Sequence, residues 1–347
     1  MNTTAAFAVA EGSQVSEVRR AAQLLASRTG MSETGCGQVA LVVSELATNL
    51  AKHARRGEIL LRALGGERAM DEPAGVEILA IDAGPGMADF AVSRRPGYST
   101  TGTLGHGLST IERQAHFFQI YTTAAGTVAL ARLWRDGPTT ARDWSPLDVG
   151  VVHVSKAGED ICGDDWSWRR REERLAIMVA DGLGHGLLAH QAATMATRVF
   201  ATRSEEAPGS VIAAVHGALR ASRGAAVAML AIDLDRGTAR YAGLGNIAGA
   251  ILHAAGTRQS MVSQNGTAGH TAPRVQEFSY PVAANSVVVM QSDGLATHWD
   301  LAAYPGLRLK HPSIVAGVLY RDMSRRRDDV TIVVAGPRAG ATAPHMR

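Results

Sequence analysis

The chain has 347 residues, of which 46% are hydrophobic and 19% are charged, and its formal net charge is +3. This length accommodates two domains of ordinary size, each with its own core. The small net charge and the lack of a long Lys/Arg stripe in the sequence argue against a nucleic-acid partner. The longest uncharged apolar run, residues 225–232, is too short to cross a bilayer. We therefore expect a two-domain globular protein that binds neither nucleic acid nor membrane.

Cysteine usage and the N-terminal residues bear on the compartment. Cys36 and Cys162 are far apart in the sequence and match no metal-ligand spacing, which predicts a reducing environment. Residues 1–13 have no basic segment and only a short apolar run, unlike a secretory signal. Both observations predict a cytoplasmic protein.

The first half alternates helical and strand-like patterns. Apolar residues at helical spacing predict helices over residues 15–28 and 34–54, and a third helix after the glycine-rich stretch 97–107. Strand patterns occur at 58–64, 76–82, about 118–123 and 127–134. This order favours helices packed on one face of a mixed sheet.

The second half holds many strand patterns around two helices. Residues 136–148 contain proline and lack periodicity, which predicts a linker between domains at 1–135 and 149–336, with a tail at 337–347. Helices are predicted over 186–201 and 209–222. Strands are predicted at 149–155, 174–180, 226–234, 238–243, 247–252, 286–292 and 329–335. The fold class is therefore α+β, with a sheet sandwich covered by helices in the second domain.

Two polar residues on the second predicted helix are candidates for catalysis. Glu45 and Asn49 lie four residues apart and so share one face of that helix. A carboxylate and an amide there can hold a hydrated Mg²⁺ ion and orient a hydroxyl or water. By itself, such a pair is also typical of solvated helix surface.

Glycine-rich turns follow a strand-ending aspartate and precede the third predicted helix. Asp82 ends a strand, and a buried aspartate there can accept a hydrogen bond from an exocyclic amine such as that of adenine. Bare backbone N–H groups at a helix N-terminus suit phosphates. The glycines of these two turns are Gly84, Gly86, Gly102, Gly105 and Gly107.

In this order, "NLAKHA", "GPGM" and "GYSTTGTLGHGL" resemble the N, G1 and G2 boxes of the GHKL ATPases, and "GTVALARLW" closes the matching region. The closer resemblance, over about residues 10–135, is to the RsbT-type serine/threonine kinases and anti-sigma factors of bacterial partner-switching systems. It implies ATP with Mg²⁺ as cofactor, Glu45 as catalytic base, Asn49 as the Mg²⁺ ligand and Asp82 as the adenine contact. The five glycines would shape the loops around the phosphates. His106 stands where the G2 box usually has an apolar residue.

Aspartates border several strands of the second half. Asp181 and Asp293 end strands and are each followed by glycine, Asp328 opens the last strand, and Asp164 lies between the first two strands. Mg²⁺ and Mn²⁺ prefer oxygen ligands, and the bare Gly182 leaves its carbonyl free to reach a metal. Two such ions can acidify a bridging water and stabilise an in-line displacement at phosphorus. From these residues alone, ordinary Asp-Gly turns remain an alternative.

The segments "SKAGEDICGDDW" and "GLGNIAGAIL" resemble metal-dependent protein phosphatases of the PPM/SpoIIE type, in the RsbX-like branch, over about residues 148–336. The resemblance implies an αββα sandwich and two Mn²⁺ or Mg²⁺ ions. Asp181, the Gly182 carbonyl, Asp293 and Asp328 would hold the metals, with Asp164 assisting through water.

Several residues next to the predicted metal ligands have no single assigned role. Asp165 and Asp329 are alternatives to the adjacent aspartates as ligands. His185 is a candidate for contact with substrate or product, whereas His190 is expected to pack. Gly245 and Asn246 match a motif of the RsbX-like branch without an assigned role.

Together, the two resemblances imply a fused switch that sets the phosphorylation state of STAS-domain partners in a stress-response pathway, with a sigma factor or a stressosome as a further partner. In an alternative, the N-terminal domain only binds ATP and the partner, and delivers substrate to the phosphatase. The presence of Glu45 favours the kinase, because a binding module needs no base at that position. A third possibility, two degenerate scaffolds, conflicts with the presence of every metal-site aspartate.

Overall fold

The computed structural model describes residues 4–87, 107–137, 146–272 and 274–338. They belong to two compact units, one drawn from residues 1–66 and 72–142 and the other from 67–71 and 143–347. The predicted linker is described only at its two ends, and the predicted tail only to residue 338. None of the described helices is long and apolar enough to cross a membrane.

The first unit places helices on one face of a five-stranded sheet. Its helices are α1 (Gly12–Arg28), α2 (Glu33–His53) and α3 (Gly107–Gln114), and its strands are β1 (Ala5–Ala8), β2 (Glu58–Leu64), β3 (Gly75–Ile81), β4 (Phe117–Thr123) and β5 (Gly126–Trp134). The strand order is β1-β2-β3-β5-β4, and every described pairing is antiparallel. The prediction of a mixed sheet is therefore wrong. Parallel neighbours need a long crossover, whereas β2–β3 and β4–β5 are joined directly and pair as hairpins.

Helix α2 packs through the apolar stripe that its sequence predicts. Ser32 caps it by accepting a hydrogen bond from the Gly35 N–H at 3.2 Å, and Lys52 and His53 lie in its last turn. A capping side chain and basic residues at the C-terminal end both stabilise a helix. The buried stripe is Val39, Val42, Val43, Leu46 and Leu50. This packing fixes the direction in which the polar residues of α2 project.

The second unit is an αββα sandwich, as predicted. Its strands are β6 (Leu147–Val154), β7 (Asp164–Arg171), β8 (Arg174–Gly182), β9 (Ala225–Asp233), β10 (Thr238–Leu244), β11 (Ala248–Leu252), β12 (Arg258–Met261), β13 (Phe278–Pro281), β14 (Val287–Gln291) and β15 (Val330–Pro337). Its α-helices are α4 (Leu187–Arg203), α5 (Pro208–Ala218) and α6 (Pro312–Met323). The sheets run β13-β10-β9-β8-β7 and β12-β11-β14-β15-β6. One core joins the two sheets, and a second joins the first sheet to α4 and α5.

Two differences from the predicted elements have clear physical causes. Asp164 opens strand β7 instead of lying between strands, because Trp166 and Trp168 alternate into the core while β7 pairs with β8 in a hairpin. Helix α6 was not predicted. All of residues 312–320 are buried, so the segment shows no polar face and no helical periodicity. Strands β1, β12 and β13 were also missed, since four residues are too few for a pattern.

A buried ion network joins three strands of the first unit. Glu77 on β3 accepts from Arg62 Nε on β2 at 2.9 Å and from Arg132 Nε on β5 at 2.7 Å. Glu72 accepts from both terminal nitrogens of Arg62 at 3.0 and 3.1 Å. All four side chains are buried. In such a place each charge depends on its partners, because an uncompensated buried charge is strongly destabilising.

The network predicts a large effect of Glu77→Ala. The substitution leaves Arg62 and Arg132 short of a shared carboxylate, and the free energy of unfolding should fall by about 3–5 kcal/mol. Urea denaturation followed by circular dichroism measures this. The control is Asp136→Ala, which removes an exposed partner of Arg135 and should leave the midpoint unchanged. Equal midpoints for the two variants would contradict the prediction.

Candidate active sites

The polar face of α2 meets the start of α3 in the first unit. Glu45 and Asn49 are half-buried. A Cβ atom placed on Gly107 would lie 3.0 Å from Glu45 Oε2 and 3.7 Å from Asn49 Oδ1. Any side chain at position 107 would therefore fill the space beside this pair. Gly102 and Gly105, predicted to shape the same loop, lie outside the described residues.

The turn after β3 is held close to the C-terminal end of α2. Asp82 Oδ1 accepts a hydrogen bond from the Gly84 N–H at 2.6 Å. A Cβ atom on Gly84 would lie 3.3 Å from the carbonyl oxygen of His53, one turn beyond Asn49. Gly86 has φ +70°, and a Cβ atom there would lie 2.0 Å from the carbonyl oxygen of Thr123, so only glycine fits. The predicted adenine contact and the predicted Mg²⁺ ligand are thus on adjoining segments.

Four predicted metal-site aspartates influence one another in the second unit. Asp164 and Asp181 stand directly opposite each other in the β7–β8 register. Burial first, and then the charges of Asp164, Asp293 and Asp328, together raise the pKa of Asp181 to about 9. Such mutual repulsion arises only among carboxylates that lie close together. The structure therefore brings these strand ends to one place.

Asp164 lies deepest in this cluster. It is 1% exposed, and burial raises its pKa despite hydrogen bonds from Ser292 and Thr331. Its Oδ2 atom is buried and has no hydrogen-bond partner. An unpaired buried carboxylate oxygen is costly unless a cation or a bound water completes it. Neither Ser292 nor Thr331 was predicted as a site residue, because each reads as an ordinary strand-end or core position.

The donor set suits hard divalent cations. Mg²⁺ and Mn²⁺ take carboxylate, carbonyl and water oxygens, and this cluster offers several carboxylates beside the backbone of Gly182. Among the described residues, no three His, Cys, Asp or Glu side chains are grouped so that they could hold a metal ion by themselves. Carbonyl oxygens and waters would therefore complete the coordination. Gly182 also has a second reason to be glycine: a Cβ atom there would lie 2.1 Å from the Ala189 carbonyl oxygen of α4.

The two neighbouring aspartates have partners of their own, although the charge of Asp329 also raises the pKa of Asp164 and Asp181. Asp165 points to the helix side of β7, where Thr197 donates to it at 2.7 Å and Arg68 pairs with it. Asp329 accepts the backbone N–H groups of Lys156 and Gly163, both at 2.8 Å. Asp165 thus takes part in the helix packing, and Asp329 joins the ends of β6, β7 and β15.

Asn246 has a contact that sequence reasoning did not assign. Its Nδ2 donates to Asp293 Oδ2 at 2.7 Å. The preceding Gly245 has φ +99°, and a Cβ atom there would lie 2.6 Å from the Ala226 side chain. This glycine therefore places Asn246 where it orients one oxygen of Asp293 and leaves the other available. An amide that orients a ligating carboxylate is a common device of metal sites.

The two histidines near the cluster differ in their contacts. His185 Nδ1 lies 2.7 Å from Glu159 Oε1, and both side chains are solvent-accessible. His190 Nδ1 lies 3.0 Å from the Cys162 carbonyl oxygen, so it joins α4 to the segment before Asp164. His190 therefore packs, whereas His185 remains accessible beside the site.

Asp181→Asn should stabilise the metal-free protein. The folded-state pKa of Asp181 is raised, so its contribution to stability is present below the ordinary pKa and is lost as the pH rises towards about 9. Asparagine needs no proton uptake on folding, so the Tm in chelator at neutral pH should rise by about 2–4 °C. Mn²⁺ should raise the Tm of wild type but not of the variant.

Thermal melts in chelator and in Mn²⁺, between about pH 5 and about pH 9, test this prediction. Asp235→Asn, at an exposed turn, is the matched control and should behave like wild type. If Asp181→Asn is no more stable than wild type in chelator at about pH 9, Asp181 does not lie among other carboxylates as described.

Comparisons with known proteins found relatives of both units. Residues 8–133 match the family described as histidine kinase-like ATPase domain, and residues 171–337 match Stage II sporulation protein E (SpoIIE). Serine/threonine-protein kinase RsbT of Bacillus subtilis (strain 168) is 31% identical over 118 residues, which are 33% of this chain and 85% of RsbT. Phosphoserine phosphatase RsbX of the same organism is 30% identical over 97 residues, 28% of this chain, so the chain spans about half (49%) of RsbX.

A solved structure described as "The bacterial stressosome: a modular system that has been adapted to control secondary messenger signaling" superposes with a TM-score of 0.51. It is 29% identical to this chain, and the superposition covers 55% of this chain and 98% of the other. Fold and sites thus define an ATPase-type domain followed by a phosphatase-type sandwich. In its first unit the chain belongs to the histidine kinase-like ATPase family, on the RsbT side, and residues 171–337 of its second unit are similar to the SpoIIE family. Asp164 lies ahead of the SpoIIE match, so its place rests on its register with Asp181.

Proposed function

We propose that the second unit is a metal-dependent protein-serine/threonine phosphatase and that the first is an ATP-dependent protein-serine kinase. The observation that carries the proposal is the group of aspartates at strand ends, in which Asp164 keeps a buried oxygen without a partner. The partners would be STAS-domain phosphoproteins of a cytoplasmic stress-response or sigma-factor switch. In support, one relative is a phosphoserine phosphatase, another a serine/threonine-protein kinase, and a similar solved structure concerns a stressosome.

In the phosphatase, Asp181, the Gly182 carbonyl, Asp293 and Asp328 would hold two Mn²⁺ or Mg²⁺ ions. Such ions supply an acidified water and stabilise charge on the phosphoryl oxygens. The free oxygen of Asp164 is suited to hold a water at the same place. Asn246 would fix the orientation of Asp293.

In the kinase, Glu45 would accept the proton of the serine hydroxyl that is phosphorylated. Asn49, on the same face of α2, would hold the Mg²⁺ ion that accompanies ATP. Asp82 would accept from the adenine amine, and its orientation is already set by the Gly84 N–H. Gly107 leaves room beside Glu45 for the phosphates. In this arrangement the base and the metal ligand act from one rigid helix.

Hydrolysis of an aryl phosphate tests the phosphatase. Wild type should show turnover with Mn²⁺ or Mg²⁺ and none with chelator, and Asp181→Asn should lose at least about a hundredfold in kcat, because a metal ligand is missing. Asp235→Asn should retain full activity. Turnover that is independent of metal, or unchanged in Asp181→Asn, would contradict the assignment. If wild type and both variants all show no turnover with either metal, the second unit would instead be a scaffold without phosphatase activity.

Glu45→Ala separates the kinase from an ATP-binding module. We expect the variant to bind ATP as wild type does but to transfer phosphate to a cognate STAS protein at least about a hundredfold more slowly. Glu33→Ala, at the first residue of α2, is the matched control. Wild-type protein that binds ATP but transfers no phosphate, or Glu45→Ala that transfers it normally, would instead favour a module that delivers the partner to the phosphatase.

A further inference from the structure

Large apolar side chains are exposed around the aspartate cluster. Leu183, Leu187 and Leu188 are 44%, 55% and 51% exposed, and Ile161 is 36% exposed. We call these four residues the apolar rim. Adjacent apolar side chains left in water are typical of surfaces that a partner covers.

Each residue of the apolar rim is tied to the site by the backbone. Leu183 follows Gly182 directly, and Leu187 and Leu188 form the first turn of α4, whose Ala189 lies against Gly182. Ile161 precedes Cys162, and the Cys162 carbonyl oxygen contacts His190 of α4 at 3.0 Å. The rim residues therefore lie on segments that adjoin Gly182 and the stretch before Asp164, next to the aspartate cluster.

A cation lies at the same turn. A Cβ atom on Gly184 would lie 3.1 Å from Arg223 Nη1, and the Leu183 N–H donates to the Gly224 carbonyl oxygen at 3.0 Å. Arg223 is exposed, and within the described part of the chain its guanidinium forms no ion pair. This arrangement places one available positive charge beside Leu183.

We propose that the apolar rim and Arg223 dock the protein segment that carries the phosphoserine, taking aliphatic side chains next to that serine on the leucines and an acidic side chain on Arg223. The inference rests on the proposed phosphatase function and specifies its substrate. Because the rim residues adjoin Gly182 and the stretch before Asp164, they are placed to contact residues on either side of a phosphoserine that reaches the aspartates. Covering exposed leucines removes apolar surface from water, and a cation at the edge selects a partner of opposite charge.

Matched phosphoserine peptides test the specificity. One peptide has leucine on both sides of the phosphoserine and a nearby glutamate; the others replace the leucines by serine or the glutamate by glutamine. With Mn²⁺, wild type should have a kcat/KM about tenfold higher for the leucine peptide than for the serine peptide. Leu187→Ser/Leu188→Ser should abolish that preference, and Arg223→Gln should remove an about threefold preference for glutamate.

The controls separate docking from chemistry. Turnover of free phosphoserine should be unchanged in both variants, and Leu309→Ser, at a leucine 74% exposed in the same unit, should keep every preference. Equal kcat/KM for the leucine and serine peptides in wild type would overturn the inference. So would a change in oligomeric state of the double-leucine variant, which would assign the rim to contact between copies of the chain.

Peptide binding to Asp181→Asn, followed by fluorescence anisotropy, decides the matter independently of turnover. We expect the leucine peptide to bind about tenfold more tightly than the serine peptide, and the difference to vanish when Leu187→Ser/Leu188→Ser is added. If the leucine and serine peptides bind equally tightly, the inference is wrong even if wild type hydrolyses both. If the leucine peptide binds more tightly but wild type hydrolyses no phosphoserine, the docking role of the apolar rim would stand and the proposed phosphatase function would be wrong.

Discussion

Repulsion between carboxylates is the constraint on which the second unit depends. The β7–β8 register sets Asp164 opposite Asp181, and like charges in that position are unfavourable. Hydrogen bonds from Ser292 and Thr331 to Asp164, and from Asn246 to Asp293, offset part of that repulsion. The remainder makes the site attractive to cations. The carboxylates at these strand ends thus destabilise the metal-free fold, and they are also the source of the proposed metal affinity.

The two units manage buried charge in opposite ways. In the first, Glu77 and Glu72 are matched by Arg62 and Arg132, which join the sheet to the connection between β2 and β3. In the second, the carboxylates have few cationic partners, and Asp164 keeps an oxygen without any. Complete pairing stabilises a fold, whereas incomplete pairing marks a place that a ligand completes.

Much of the fold was predictable because, in most helices and strands, apolar residues recur at regular spacing. The stripe on α2 and the apolar runs of β8 and β9 predict those elements directly, whereas the uniformly buried α6 has no period to detect. In the sites, Asp181 and Asp293 were predictable because glycine follows each at a strand end. Asn246 and Thr331 were not, because their roles come from long-range pairing: Thr331 lies on β15, far along the chain from Asp164.

The adjacent Asp164 and Asp165 also bear on how the hairpin finds its alignment. A strand shifted by one residue turns each side chain to the opposite face, and here it would merely exchange one aspartate for another at the site. What distinguishes the two alignments is the rest of β7. The shifted strand would carry Trp166 and Trp168 out of the core between the sheets and take Asp165 away from Thr197. The packing of two tryptophans thus selects which of the two carboxylates faces Asp181.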